Sequence, residues 1–204
     1  MRDNFDRFRS ILTFENEDEF YFIQVLVRGK DGNKANGNNK NRTIKYYTIK
    51  SMKEFDDCET EIKYLCDTFN ARAYIHYSKR SYEAVAKEML RHVTDTFLCG
   101  NYLGMKGAFQ HACGKTVKKE HKTYLVDIDF NPELTIEDNW TFVWTCKDCI
   151  NNICENTKDQ FKVLDVIPSN SGVHLICKPF NIKKLTDNFN VEVKQNAPTL
   201  LYKG

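Results

Sequence analysis

The stretch YLVDIDF, residues 124–130, is the most informative segment of this 204-residue chain. Its apolar and β-branched residues predict a strand at 123–130. Successive side chains of a strand point to opposite faces, so Asp127 and Asp129 share one face while the apolar residues between them face the core. Two neighbouring carboxylates repel each other and lose hydration, which costs free energy unless a cation compensates.

A hard divalent cation, Mg²⁺ or Mn²⁺, is the cofactor that this carboxylate pair favours. Such ions prefer oxygen ligands, and phosphate oxygens can complete their coordination shell. The alternative is an edge strand on which both carboxylates are simply hydrated. The apolar residues on both sides of the pair favour the metal site.

The segments that follow alternate between strand and helix patterns. A helix is predicted at 136–156, strands at 161–167 and 173–177, a short helix at 181–188 and a terminal strand near 190–194. This order resembles the split βαβ arrangement of RNA-recognition-motif-like (RRM-like) domains. Residues 123–204 are therefore predicted to form an RRM-like lobe of a single α+β domain.

The first part of the chain, residues 1–122, predicts a second αβ lobe. Strands are predicted at 20–27, 43–49 and 71–77, and helices at 53–69 and 81–97 with Ser81 as an N-cap. The strand at 71–77 places Arg72, Tyr74 and His76 together on one face. The segment 99–122, rich in Gly and Lys, is predicted to be a long loop between the lobes.

The overall charge of +2 is nearly neutral and neither demands nor excludes nucleic acid. Residues 28–50 are nevertheless basic, with seven Lys or Arg against one Asp. Within them the Gly- and Asn-rich segment 29–42 predicts a flexible hairpin tip. A solvated loop and a nucleic-acid contact are both consistent with this pattern.

A second informative segment, SNSGVHLI, begins 40 residues beyond Asp129, at residue 169. Its small polar residues, including Ser171 and Gly172, offer backbone N–H groups and hydroxyls that suit phosphate oxygens. His174 is the first polar side chain of the strand that follows. A histidine here can donate to a phosphate, although a lone strand histidine is more often structural.

Together these two segments resemble a known family. The strand with Asp127 and Asp129, followed by the Ser-Gly-Val-His element at 171–174, is similar to the first two motifs of the archaeo-eukaryotic primase superfamily. More narrowly, the chain resembles the small primase-polymerase-like proteins of bacteria and their phages. Weaker similarity at 70–81 and 198–202 extends the resemblance from residue 70 to the end of the chain.

The resemblance implies an N-terminal αβ lobe packed on an RRM-like catalytic lobe. It assigns metal binding to Asp127 and Asp129 and contact with the incoming nucleotide to His174. A third carboxylate is expected on a later strand, where Glu192 is the candidate. Family members often carry Asp there, and Asp165 and Asp187 are competing candidates.

The resemblance also implies ligands and partners: nucleoside triphosphates, a single-stranded DNA template and a replicative helicase. Further nucleotide or nucleic-acid contacts are predicted for Arg72, for Lys79 and Arg80 at a helix start, and for Ser171 and Gly172. For the three cations, an ordinary surface position is the alternative.

The function that the resemblance implies is metal-dependent nucleotidyl transfer on a DNA template. The alternative is a non-catalytic nucleic-acid-binding or partner module with the same fold. Two features are consistent with it: the Glu at position 192 and the lack of a helicase or zinc-ribbon segment. A rolling-circle replication initiator would need a His-hydrophobe-His pair, which does not occur here.

No apolar run is long enough to span a membrane and the first residues lack the apolar core of a signal peptide, so a cytoplasmic protein is expected. Its eight cysteines are then expected to be reduced. Cys146, Cys149 and Cys154, with His111 and Cys113, could supply a zinc site. The alternative is that these cysteines pack as small apolar groups on one helix face and in the core.

Overall fold

The computed structural model describes residues 1–29, 41–117, 119–153 and 161–204. Within these residues the chain is an α+β protein with two antiparallel sheets, of five and four strands, and six α-helices. The predicted tip of the basic hairpin, 30–40, and the zinc candidate Cys154 lie outside the described residues.

The elements follow one another in this order: β1 (Arg2–Asp3), α1 (Phe5–Ile11), β2 (Glu19–Val27), β3 (Arg42–Ile49), α2 (Met52–Phe69), β4 (Arg72–Ser81), α3 (Tyr82–Leu98), α4 (Ala108–Lys115), β5 (Tyr124–Asp129), α5 (Ile136–Asn152), β6 (Val163–Pro168), β7 (Gly172–Cys177), α6 (Ile182–Thr186), β8 (Glu192–Gln195) and β9 (Thr199–Lys203). Short 3₁₀ helices lie at Tyr102–Gly107 and Lys119–His121.

The first sheet has the strand order β1-β9-β4-β2-β3. Side chains of a strand alternate between its two faces, and the central strands β2 and β4 bury one row of side chains under α1 and α2. Ile23, Val25 and Ile75 are fully buried there against Phe55 and Ile62 of α2. The opposite face is covered at one end by α3 and α4 and leaves Arg72 and Tyr74 beside a cleft at the other.

The second sheet has the strand order β6-β7-β5-β8. Val126 and Ile128 of β5 point to one face and pack against Val143 and Ile150 of α5. Leu185 of α6 joins the same buried cluster. The helices therefore cover one face of this sheet, and the face that carries Asp127 and Asp129 turns toward the first sheet.

The prediction of a long loop at 99–122 is wrong. The segment contains α4 and two 3₁₀ helices. Ala112 and Cys113 are fully buried against Phe20 and Phe22 of β2. The Gly- and Lys-rich composition hid this helix because its stability comes from burial against the sheet and not from local propensity.

The two sheets are joined by a shared apolar cluster and by the hydrogen bonds of one buried asparagine. Ile167 and Ile176 of the second sheet pack in the same buried cluster as Leu201 of β9. Asn4, which is buried, donates from Nδ2 to the carbonyl oxygens of Pro168 and Leu200, both at 2.9 Å. The contact between the sheets is therefore built from both apolar and hydrogen-bonded groups.

The last strand crosses between the predicted lobes. Although β9 follows the second sheet in the chain, it pairs with β1 and β4 of the first sheet. Four of its five residues, Thr199–Tyr202, are buried. The sequence did not predict this strand, because a short run buried on both faces lacks the alternation of a half-exposed strand.

Among the described helices, none combines the length and the apolar character needed to cross a membrane.

Candidate functional site

Three neighbouring strands bring three of the predicted site residues side by side. Asp127 of β5 is the register partner of His174 on β7 and of Glu192 on β8. Directly opposed residues of antiparallel strands project from the same face. Asp129, two residues along β5, projects from that face as well.

The Asp127 carboxylate has two cationic or proton-donating partners. Its Oδ1 lies 3.3 Å from His174 Nε2, and its Oδ2 accepts from Lys194 Nζ at 2.9 Å. The hydrogen bond from His174, with help from Lys194 and against the opposing effect of burial, lowers the pKa of Asp127 to about 2. Asp127 is therefore an anion at neutral pH.

The imidazole of His174 connects the two sheets. Its Nδ1 hydrogen-bonds with Thr199 Oγ1 of β9 at 2.7 Å, and its Nε2 faces Asp127. A carboxylate can only accept, so Nε2 carries the proton that faces Asp127, while Nδ1 and the Thr199 hydroxyl form a second hydrogen bond. These two contacts fix the ring on the cleft side of the sheet rather than in the core.

Asp129 and Gly172 mark a close approach of β5 and β7. The two residues are register partners, and a Cβ added to Gly172 would lie 2.0 Å from the Ile128 carbonyl oxygen. The Ser171 hydroxyl donates to Asp129 Oδ1. The Ser-Gly pair therefore positions the second carboxylate, a role that sequence reasoning did not assign to it.

A cleft of about 570 Å³ lies between the two sheets. Its walls carry Asp127, Asp129, His174 and the loop 169–171 on one side. Across from them the first sheet contributes the following residues: Leu26, Arg28, Arg72, Tyr74 and Leu200. The cleft thus combines carboxylates with guanidinium groups, an arrangement that suits a ligand carrying both a cation and phosphates.

A smaller recess of about 200 Å³ adjoins the same carboxylates from the other direction. Phe142 of α5, Asn190 and Glu192 line it together with Asp127 and Asp129. The two Asp side chains therefore border both spaces.

Lys194 is a site residue that the sequence analysis missed. Its Nζ lies 2.8 Å from Glu192 Oε2 as well as 2.9 Å from Asp127 Oδ2. The sequence pattern could have indicated it, because side chains alternate along β8 and Lys194 therefore lies on the same face as Glu192. The register between β8 and β5, which the sequence does not reveal, is what brings Lys194 to Asp127.

The structure does not bring Lys79 and Arg80 to this site. Both lie at the end of β4, directly before the Ser81 cap of α3, and neither is among the described residues that line the cleft. The Arg80 guanidinium is buried, donates to the carbonyl oxygens of Ser78 and Cys113, and has its pKa lowered to about 10 by burial. Ser81 caps α3 as predicted, accepting from the Ala84 N–H at 3.2 Å.

Comparison with protein-family models, with curated proteins and with solved structures gave no match. The similarity to primases therefore stays a prediction that is based on the residues and their geometry.

The competing residues for the third carboxylate lie elsewhere. Asp165 is on β6, which β7 separates from β5, and it contacts Arg7 of α1 at 3.5 Å. Asp187 follows α6 and is exposed. Of the three candidates, only Glu192 is a register partner of Asp127.

Two of the candidate zinc ligands, Cys146 and Cys113, belong to separate buried clusters. Cys146 packs under the second sheet, whereas Cys113 packs against β2 of the first. Burial raises the pKa of both thiols to about 12, which disfavours the thiolate that zinc requires. His111 instead stacks on His92, with ring centroids 3.9 Å apart.

Asp127, Asp129 and Glu192 all offer carboxylate oxygens, the ligand type that a hard divalent cation prefers. The Lys194 ammonium pairs with Asp127 and Glu192 and so places a positive charge between these two carboxylates. In the part of the chain that the structure describes, no three His, Cys, Asp or Glu side chains are already gathered as a metal-binding group. Asp127 and Glu192 bond to Lys194 while Asp129 bonds to Ser171, so metal binding would require these side chains to turn.

The low pKa of Asp127 predicts acid sensitivity. The unfolded chain protonates this carboxyl near 3.8 and the folded chain only near 2. Above the pKa of the unfolded state, the Asp127 carboxylate therefore contributes about 2 kcal/mol to the free energy of unfolding. This contribution is lost as the pH falls toward the pKa of the folded state. Urea unfolding should show that Asp127→Asn is less stable than wild type at about pH 5 and approaches it at about pH 2.

The exposed Asp148 on α5 provides the control, since Asp148→Asn should leave the pH dependence of the wild type unchanged. The contrary result is a difference in free energy of unfolding between wild type and Asp127→Asn that is the same at both pH values. That result would show that folding does not lower the pKa of Asp127.

Proposed function

We propose that this protein catalyses metal-dependent nucleotidyl transfer on a DNA template, in the manner of a primase-polymerase. One observation carries the proposal: Asp127, Glu192 and His174 stand in register across three strands, on a sheet face that opens into a cleft.

The topology of the second sheet supports the same proposal. Its strand order, with α5 and α6 on a single face, corresponds to the split βαβ arrangement of an RRM-like lobe. The acidic residues lie on the face that the helices leave open. The first sheet, with its own helices, would then be the N-terminal αβ lobe of the primase-like family.

The size and charge of the cleft support a nucleotide as its ligand. About 570 Å³ is within the range of small-molecule sites. Arg72 and Arg28 on the first sheet would contact the phosphates, since a guanidinium can donate two parallel hydrogen bonds to phosphate oxygens. Tyr74, beside Arg72 in the same cleft, offers an aromatic surface for the sugar or the base.

Each acidic or basic group then has a role in the transfer. Mg²⁺ or Mn²⁺ held by Asp127, Asp129 and Glu192 would neutralise the triphosphate and lower the pKa of the attacking 3′-hydroxyl. His174, with its ring fixed by Thr199, would donate from Nε2 to a phosphate oxygen. The Ser171 hydroxyl and the backbone of the 169–172 turn would hold Asp129 and the phosphates in place.

A second candidate function is a non-catalytic nucleic-acid-binding or partner module on this fold. The observation that favours it is the Lys194 bridge, which satisfies Asp127 and Glu192 without any metal. A glutamate at position 192, longer than the aspartate common in the family, is compatible with this alternative.

One assay separates the two functions. The protein is incubated with Mg²⁺ or Mn²⁺, labelled ribo- or deoxyribonucleotides, and either single-stranded DNA or a primed template. Template-directed product that disappears on chelation supports the enzyme. A salt-dependent shift of DNA in a gel without product under any of these conditions would favour the binding module.

A further inference from the structure

Lys194 pairs with two of the acidic residues of the site. Its ammonium lies 2.9 Å from Asp127 Oδ2 and 2.8 Å from Glu192 Oε2, and the side chain stays 40% exposed. It therefore stands between two of the three carboxylates that would hold a metal.

The bridge is weak enough to be exchanged. An ion pair that remains open to water changes an equilibrium by about fivefold or less, because solvent screens it and the lysine loses rotamer freedom. The Glu192 side chain is 66% exposed, so its contact does little to hold the Lys194 ammonium in place. A divalent cation brings twice the charge to the same oxygens and is able to compete with the ammonium.

We propose that Lys194 is a resident counter-ion that bridges Asp127 and Glu192 until a divalent cation displaces it, after which its ammonium binds the triphosphate. This inference rests on the proposed function, because it concerns the same carboxylates. It reconciles the lysine bridge with a metal site, since the bridge is then one state of the site rather than a replacement for metal.

The position of Lys194 allows both states. It lines the 570 Å³ cleft together with Arg72 and His174. Its four-carbon stem rotates freely, so the ammonium can leave the carboxylates and still point into the cleft. There it would add a third cationic side chain to Arg28 and Arg72 on the phosphates.

The test compares Lys194→Met, which keeps the length of the stem but removes the charge, with the wild type. Binding of Mn²⁺ alone is measured by electron paramagnetic resonance, and binding of dATP and of ATP at saturating Mn²⁺ by calorimetry. The variant should bind Mn²⁺ up to about fivefold more tightly and each nucleotide up to about fivefold more weakly. A residue with only a structural role would not shift the two affinities in opposite directions.

Two further variants complete the test. Lys194→Arg keeps the charge and should retain wild-type Mn²⁺ affinity, and Lys87→Met on the exposed surface of α3 should change neither affinity. Mn²⁺ binding by the wild type that Lys194→Met does not strengthen, or nucleotide binding that it does not weaken, overturns this inference alone. Failure of both wild type and Lys194→Met to bind Mn²⁺ overturns the proposed function along with it.

Discussion

Replacing Asp127 with asparagine is expected to lower the rate of nucleotide incorporation by at least about a thousandfold. Asp127 is central because it is the register partner of both His174 and Glu192 and borders both recesses of the site. Asparagine keeps the shape of the side chain but removes the negative charge that a divalent cation requires. The rate is measured by extension of a primed template with Mn²⁺ and labelled nucleotide.

Loss of fold must be separated from loss of chemistry in this experiment. Circular dichroism and the urea midpoint show whether Asp127→Asn is still folded at neutral pH, where some loss of stability is expected from the broken contacts to His174 and Lys194. Asp148→Asn, on the exposed side of α5, should retain the wild-type rate. A folded Asp127→Asn protein that extends primers at the wild-type rate would contradict the assigned role.

Gly172→Ala is expected to destabilise the protein by about 3 kcal/mol. An added Cβ would lie 2.0 Å from the Ile128 carbonyl oxygen and 2.9 Å from Asp129 Cα. Backbone atoms of a paired strand cannot yield without stretching the β5–β7 hydrogen bonds. The change should therefore also move Asp129 and reduce nucleotide incorporation in whatever fraction stays folded.

Gly107→Ala is the matched control, because the described residues leave open space within 4 Å of a Cβ built there. Urea unfolding of both variants measures the difference in free energy. Equal stability of Gly172→Ala and Gly107→Ala would show that β5 and β7 do not approach as closely as the structure indicates.

The sequence predicted those parts of the site that follow from local periodicity. Alternation along residues 124–130 placed Asp127 and Asp129 on one face, and the strand at 173–177 placed His174 near the start of β7. The strand order of the second sheet then brought these residues together. Local patterns sufficed because each of these strands has one face buried under α5 or α6.

Features that depend on pairing between distant segments could not be predicted. Thr199, which fixes the His174 ring, lies on a strand that the sequence did not reveal. Lys194 meets Asp127 only through the register of β8 on β5, and the buried Arg80 donates to the Cys113 carbonyl oxygen of α4. In each case the deciding contact joins residues far apart in the chain, where composition carries no information.

The most direct test of the central claim is a crystal soaked with Mn²⁺ and a nucleoside triphosphate, with the metal located by anomalous scattering. We expect a peak contacted by the carboxylates of Asp127 and Asp129, with the triphosphate extending toward His174 and Arg72 and the Lys194 ammonium released from Asp127. A nucleotide bound elsewhere, or a bound nucleotide with Lys194 still bridging Asp127 and Glu192 and no peak beside them, would contradict it.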